Sequence, residues 1–96
     1  MFKHVVCFKL KDNSREHCEK IKAMMLKMKD NIEYIKDIEV GIDTLHSARS
    51  YDIILSVVLD KAEDLNKYSD HPYHVENVKS YMAQERTDSI AVDFEM

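Results

Sequence analysis

Tyr68-Ser69-Asp70-His71-Pro72-Tyr73-His74 puts two imidazoles and a phenol in one short stretch, around the only proline of the chain. Imidazole changes charge near neutral pH, and such groups donate, accept and transfer protons there. Proline fixes its own φ and lacks an N–H, which suits the first turn of a helix. The stretch therefore predicts a break between two helical segments at His71-Pro72. Tyr68, His71 and His74 would then be aimed in directions set by the backbone. Two readings follow: a satisfied packing junction, or a proton-transfer site. In the second, His74 is a general base removing a proton next to a substrate carbonyl. Tyr68 then orients that carbonyl or steadies the oxyanion. A positioned base typically contributes about 10²–10⁴-fold.

Other polar residues are candidates for the same pocket. His4 and Asp52 are expected on the sheet face toward the helices, with Tyr68 and His74 descending from above. Asp52 or Asp93 could hold an imidazole in the useful tautomer, and His4, Asp52, His71 and Asp93 are the candidate ligand-binding set. Three uses remain open: a hydrogen-bonded junction without substrate, a site for a small carbonyl or aromatic ligand without turnover, and catalysis. His71 and His74 lie at i, i+3, but catalytic zinc needs three converging protein ligands. No metal or cofactor is expected. Cys7 and Cys18 fit neither a metal motif nor a disulfide framework. Cys7 reads as inert packing, His46 as an exposed loop residue, and His17 receives no role.

The elements that must position these groups read as β-α-β-β-α-α-β. Phe2 to Leu10 alternates, with Phe2, His4, Val6, Phe8 and Leu10 on one face. Asn13 and Glu16 have the spacing of a capping box. After them Cys18, Ile21, Met25, Met28 and Ile32 form one apolar stripe of a helix. Glu33 to Asp43 reads as a second strand and Tyr51 to Leu59 as a third, joined by a polar loop. Asp60 and Glu63 repeat the cap spacing before a short helix through Tyr68. The Pro72 helix continues to Met82, and Thr87 to Glu95 closes the chain as a strand. This is one α+β domain, residues 1–96, with helices on one face of a mainly antiparallel four-stranded sheet.

Such a sheet has a second face to cover. The third strand is apolar on both sides, and part of the first is too, unlike a half-solvated antiparallel strand. Roughly ten exposed side chains would forgo about 15–30 kcal/mol of burial in gross terms. Association costs about 4–15 kcal/mol. A homodimer through the open sheet face is expected, with Leu55 and Val57 as interface positions.

Composition excludes other classes. The net charge of −4, with signs mixed, offers no nucleic-acid footprint. No apolar run approaches the roughly 18 residues of a membrane span. The N-terminus leads directly into a strand pattern, not a signal peptide. A reduced cytoplasmic protein, with itself and a small molecule as partners, is the expectation.

The segments Phe2-Lys3-His4-Val5-Val6-Cys7-Phe8-Lys9-Leu10, Glu39-Val40-Gly41, Tyr51-Asp52, Tyr68-x-x-His71-Pro72-x-His74 and Val92-Asp93-Phe94 resemble the stress-responsive dimeric α+β barrel (Dabb) family, end to end. Membership implies a ferredoxin-like fold whose two sheets form a barrel across a homodimer. In the plant cyclase of this family that makes olivetolic acid, the motif tyrosine and last histidine are catalytic, matching Tyr68 and His74. His4, His71 and Asp93 match polar positions in or near that pocket. Asp52 stands where the cyclase has a pocket histidine. The resemblance implies a small-ligand-binding or structural stress-related domain, or a cofactor-independent cyclase, lyase or isomerase.

Overall fold

The computed structural model describes residues 1–96. The chain runs β1 (Phe2–Leu10), α1 (Arg15–Leu26), α2 (Met28–Asn31), β2 (Asp37–Ile42), β3 (Ile53–Leu59) and α3 (Asp64–Ser69). A π-helical segment, His74–Lys79, then leads into α4 (Ser80–Glu85) and β4 (Arg86–Glu95). The expected order of strands and helical regions holds, except that the helix expected through Ile32 is split into α1 and the short α2, and β1 has the bounds its alternation predicts.

Local corrections have local causes. Ser14, not Asn13, caps α1, its Oγ accepting the His17 N–H at 3.3 Å while Asp12 accepts the Ser14 N–H. Glu63 precedes α3 without a side-chain cap bond. The second strand begins at Asp37 rather than Glu33, because the chain first makes the α2 turn and tucks Ile32 and Ile35 into the core. The third begins at Ile53, since the Asp52 N–H bonds back to the Phe8 carbonyl beyond the ladder.

The strands form one antiparallel sheet in the order β2-β3-β1-β4. Its register places His4 beside Val57 on one side and Asp93 on the other. The apolar stripe of α1 lands where its spacing requires: Cys18, Ile21, Met25, Met28 and Ile32 are all buried. They meet Val40, Ile53, Leu55, Val57 and Leu59 from the sheet. Leu55 and Val57 are thus core residues under the helices, 2% and 0% exposed, and not interface positions. Both faces of β3 are apolar, so alternation alone could not tell which one the helices choose.

The helices cover one face only. On the other, Val5 and Cys7 of β1 lie with Ile54 and Val58 of β3 and Ile90, Val92 and Phe94 of β4. Ile54, Ile90, Val92 and Phe94 are open to solvent in the single chain. Gly41 pairs with Ile54, whose Cγ2 lies 3.0 Å from where a Cβ would stand. The glycine lets that isoleucine lie flat across the strand. No helix is long and apolar enough to cross a membrane.

Ile21 sits at the centre of the helix–sheet contact with no exposure. Ile21→Ala should lower stability by about 2–5 kcal/mol in urea denaturation, and Ser14→Ala by about 1 kcal/mol. A smaller loss at Ile21 than at Ser14 would contradict this packing.

Candidate functional site

The chain between α3 and the π segment breaks where Pro72 requires it. His71 precedes the new helical turn, and its Nδ1 accepts the Tyr73 N–H at 3.1 Å. It thereby satisfies an amide donor that a helix start leaves free. Its Nε2 donates to Glu33 at 3.1 Å, and its ring meets Tyr34 edge-on. His71 therefore works as a cap and a surface tie between the second helical region and the segment before β2. It does not face the other candidates.

Past the break the helix widens. The Ser80 N–H donates to the Val75 carbonyl, five residues back. Two side chains favour this pattern by taking carbonyls that an α-helix would use. Asn77 Nδ2 donates to the Tyr73 carbonyl at 3.2 Å, and Ser80 Oγ to the Glu76 carbonyl at 2.7 Å. Short π segments recur at functional sites, where they re-aim side chains. Here the segment starts at His74 and ends at Lys79.

His74, Tyr68 and His4 come together beneath this segment. The Tyr68 ring lies 4.7 Å from that of His74 and 5.8 Å from that of His4, centroid to centroid. His74 Nδ1 donates to the Ser69 carbonyl at 2.9 Å across the helix break. That bond places the proton of the neutral ring on Nδ1, and Nε2 has no protein partner. Burial, opposed by the Ser69 carbonyl and aided by Lys79 and His4, holds the His74 pKa below its ordinary value. The ring is therefore neutral at pH 7.

Tyr68 is almost wholly buried, and burial pushes its phenol pKa well above the ordinary value. It stays a donor, but its hydroxyl reaches only Met28 Sδ at 3.8 Å, a weak acceptor. His4 Nδ1 is hydrogen-bonded to Asp93 across the β1–β4 pair, which fixes the orientation of its ring.

These rings line a cavity of about 230 Å³ between β1 and the helical region, with Val6, Phe8 and Leu55 as apolar walls. The volume falls just under the roughly 300–1,000 Å³ of sites for drug-sized ligands. The cavity suits a small molecule.

Asp52 lies elsewhere. It stands just before β3, five positions ahead of Val57, the neighbour of His4, or about 16 Å along an extended chain. Its Oδ2 accepts the Leu10 N–H at 2.8 Å and its Oδ1 the Asn13 amide at 3.3 Å. It ties the end of β1 to the chain entering α1. Of the proposed ligand-binding set, His4 lines the cavity, Asp93 stands behind it, and Asp52 and His71 are outside.

The sequence reading missed Lys79 and Arg86, which also line the cavity. Lys79 ends the π segment and Arg86 begins β4, so no one period in the sequence joins them. His17 also has a partner, its Nε2 2.7 Å from Glu85 Oε1, joining α1 to the end of α4. No three His, Cys, Asp or Glu side chains cluster as a metal site.

A four-stranded antiparallel sheet with helices on one face, and a cavity between the layers, defines a ferredoxin-like α+β domain. The stress responsive A/B barrel domain family matches residues 2–96, and the chain belongs to that family. No curated protein matches the sequence. Among solved structures, an Arabidopsis thaliana protein is 23% identical with a TM-score of 0.86, covering 100% of this chain and 95% of that one. A dimeric ferredoxin-like protein of unknown function from Thermobifida fusca is 25% identical, with a TM-score of 0.82 and 99% and 90% coverage. The hydroxynitrile lyase of Passiflora edulis shares the fold at 14% identity, with a TM-score of 0.81 and 99% and 92% coverage.

The lowered His74 pKa has a definite sign in stability. Its unfolded form takes up a proton as pH falls below about 6.5, before the folded form does. Stability from this group is fully present above that value, and declines as pH falls until the folded ring also protonates. NMR titration should give His74 a midpoint below 6.5. A midpoint at or above 6.5 would contradict the buried, neutral ring.

Proposed function

We propose that this protein binds a small carbonyl compound in the cavity above His4, and that it works as a homodimer through its open sheet face. One observation carries the ligand reading: Tyr68, His74 and His4 converge on an open space of about 230 Å³ rather than on each other's polar atoms. A packed junction would fill that space and pair the His74 Nε2. The weak bond from Tyr68 to Met28 Sδ is easily exchanged for one to a carbonyl oxygen.

A second reading, catalysis without cofactor, is favoured by the state of His74. A neutral imidazole with its proton on Nδ1 leaves Nε2 free to remove a proton from carbon next to the bound carbonyl. The Tyr68 O–H then donates to the enolate oxygen, and His4, held by Asp93, lines the wall beside it. Cyclase, lyase and isomerase chemistry all begin this way. The hydroxynitrile lyase neighbour supports only the shared fold.

The dimer is supported by the exposed Ile54, Ile90, Val92 and Phe94 and by the dimeric Thermobifida fusca neighbour. A cytoplasmic, stress-related setting completes the reading. It draws support from unpaired Cys7 and Cys18 and from the family's description.

A thermal-shift screen of small ketones, lactones and phenolics should yield stabilising ligands, with His74→Ala and Tyr68→Phe reducing the shift. Turnover of a hit, lost about 10²–10⁴-fold in His74→Ala, would establish catalysis. Binding without turnover in the native protein leaves a ligand-binding domain, and no ligand across the classes would count against the cavity. Light scattering on a sizing column should give twice the chain mass at micromolar concentration. Ile54→Glu with Val92→Glu should give monomer, and an unchanged dimer in that variant would refute the sheet-face assembly.

A further inference from the structure

Two exposed cations, Lys79 and Arg86, line a cavity whose more buried walls carry His4, Tyr68 and His74. Lys79 ends the π segment and Arg86 begins β4, with the short side chain of Ala83, in α4, between them in sequence and on the same cavity. No Asp or Glu lines this cavity. The clefts near Asp52 and Asp37, by contrast, are lined by acids. Neither Lys79 nor Arg86 enters any of the ion pairs of the chain. Asp93, the nearest acid in β4 by register to the cavity residue His4, is already bonded to that imidazole. In a chain of net charge −4, this leaves two cations without an ion-pair partner on a cavity that no carboxylate lines.

Resting on the reading of this cavity as a ligand site, we propose that its ligand is a small keto acid. The carboxylate is held between Lys79 and Arg86 and the ketone is turned inward toward Tyr68 and His74. Guanidinium and ammonium groups are the usual partners of a carboxylate, the guanidinium by a two-pronged contact. The order of groups along the cavity, cations at the rim and imidazole and phenol inside, matches a molecule with its acid and ketone a few bonds apart. A neutral ketone of the same shape would leave the rim charges to water and gain only the apolar walls. Lys79 and Arg86 are therefore specificity residues, separate from the groups that would act on the carbonyl. The lowering of the His74 pKa by Lys79 agrees with an ammonium group close to the imidazole.

Isothermal titration of the intact protein with phenylglyoxylate and with 2-oxobutanoate, each beside its methyl ester, tests this directly. The acids should bind about tenfold more tightly than the esters, since two charge-assisted contacts at exposed side chains, each worth roughly threefold, together make about that factor. Lys79→Gln and Arg86→Gln should each weaken the acids about threefold and leave the acid–ester difference smaller, and Lys79→Arg should restore it. His74 resonances followed in the same titrations report occupancy of the cavity. Esters that bind as tightly as acids while moving those resonances would overturn the keto acid proposal and leave the cavity reading intact. Loss of acid preference in neither glutamine variant would overturn it too. Acids and esters that both fail to bind or to move His74 would overturn both.

Discussion

One hydrogen bond, from His74 Nδ1 to the Ser69 carbonyl, spans the break in the second helical region, and the site depends on it. Pro72 creates the break by withholding an N–H, and His71 caps the turn that follows. The chain then re-enters a helix with His74 turned back toward the residue before the gap. That single contact satisfies a carbonyl left over from α3 and selects the ring's tautomer. It also directs the opposite nitrogen away from the backbone. Tyr68, on the near side of the break, and His74, on the far side, become neighbours because the bond closes the corner between them.

The second constraint is one of coverage. The helical layer buries Ile53, Leu55, Val57 and Leu59 of β3, whereas β4 is exposed along almost its whole length. The layer thus ends above β1, and the cavity opens where it ends. His4 belongs to the last covered strand and Asp93 to the first uncovered one, so their bond stands at that margin. The same shortfall on the reverse side leaves an apolar sheet face that a second copy can cover. Cavity and assembly surface follow from one fact, a single layer of helices over a sheet with two apolar faces.

Much of this was legible in the residues. Alternation in β1 and the three-and-four spacing from Cys18 to Ile32 report which side is buried, because burial itself imposes those periods. The helix break was legible because proline acts locally. Choices between equivalent options were not. Both faces of β3 are apolar, so Leu55 and Val57 could not be told from Ile54 and Val58 without the helices in place. Asp52 was misplaced because its role depends on how the end of β1 meets the turn into α1, a contact across 42 residues of sequence. The π segment was hidden for a similar reason. It rests on Asn77 and Ser80 capturing carbonyls, which residue types alone do not announce. Lys79 and Arg86 were overlooked because one ends a π segment and the other begins a strand, and no single period joins them.

The nitrogen chemistry of His74 tests the account most directly. In protein labelled with ¹⁵N at its histidines, the His74 ring at pH 7 should show a protonated Nδ1 and a bare, basic Nε2. A ring protonated on Nε2, or a doubly protonated imidazolium, would contradict both the corner closed by the Ser69 bond and the proposed site.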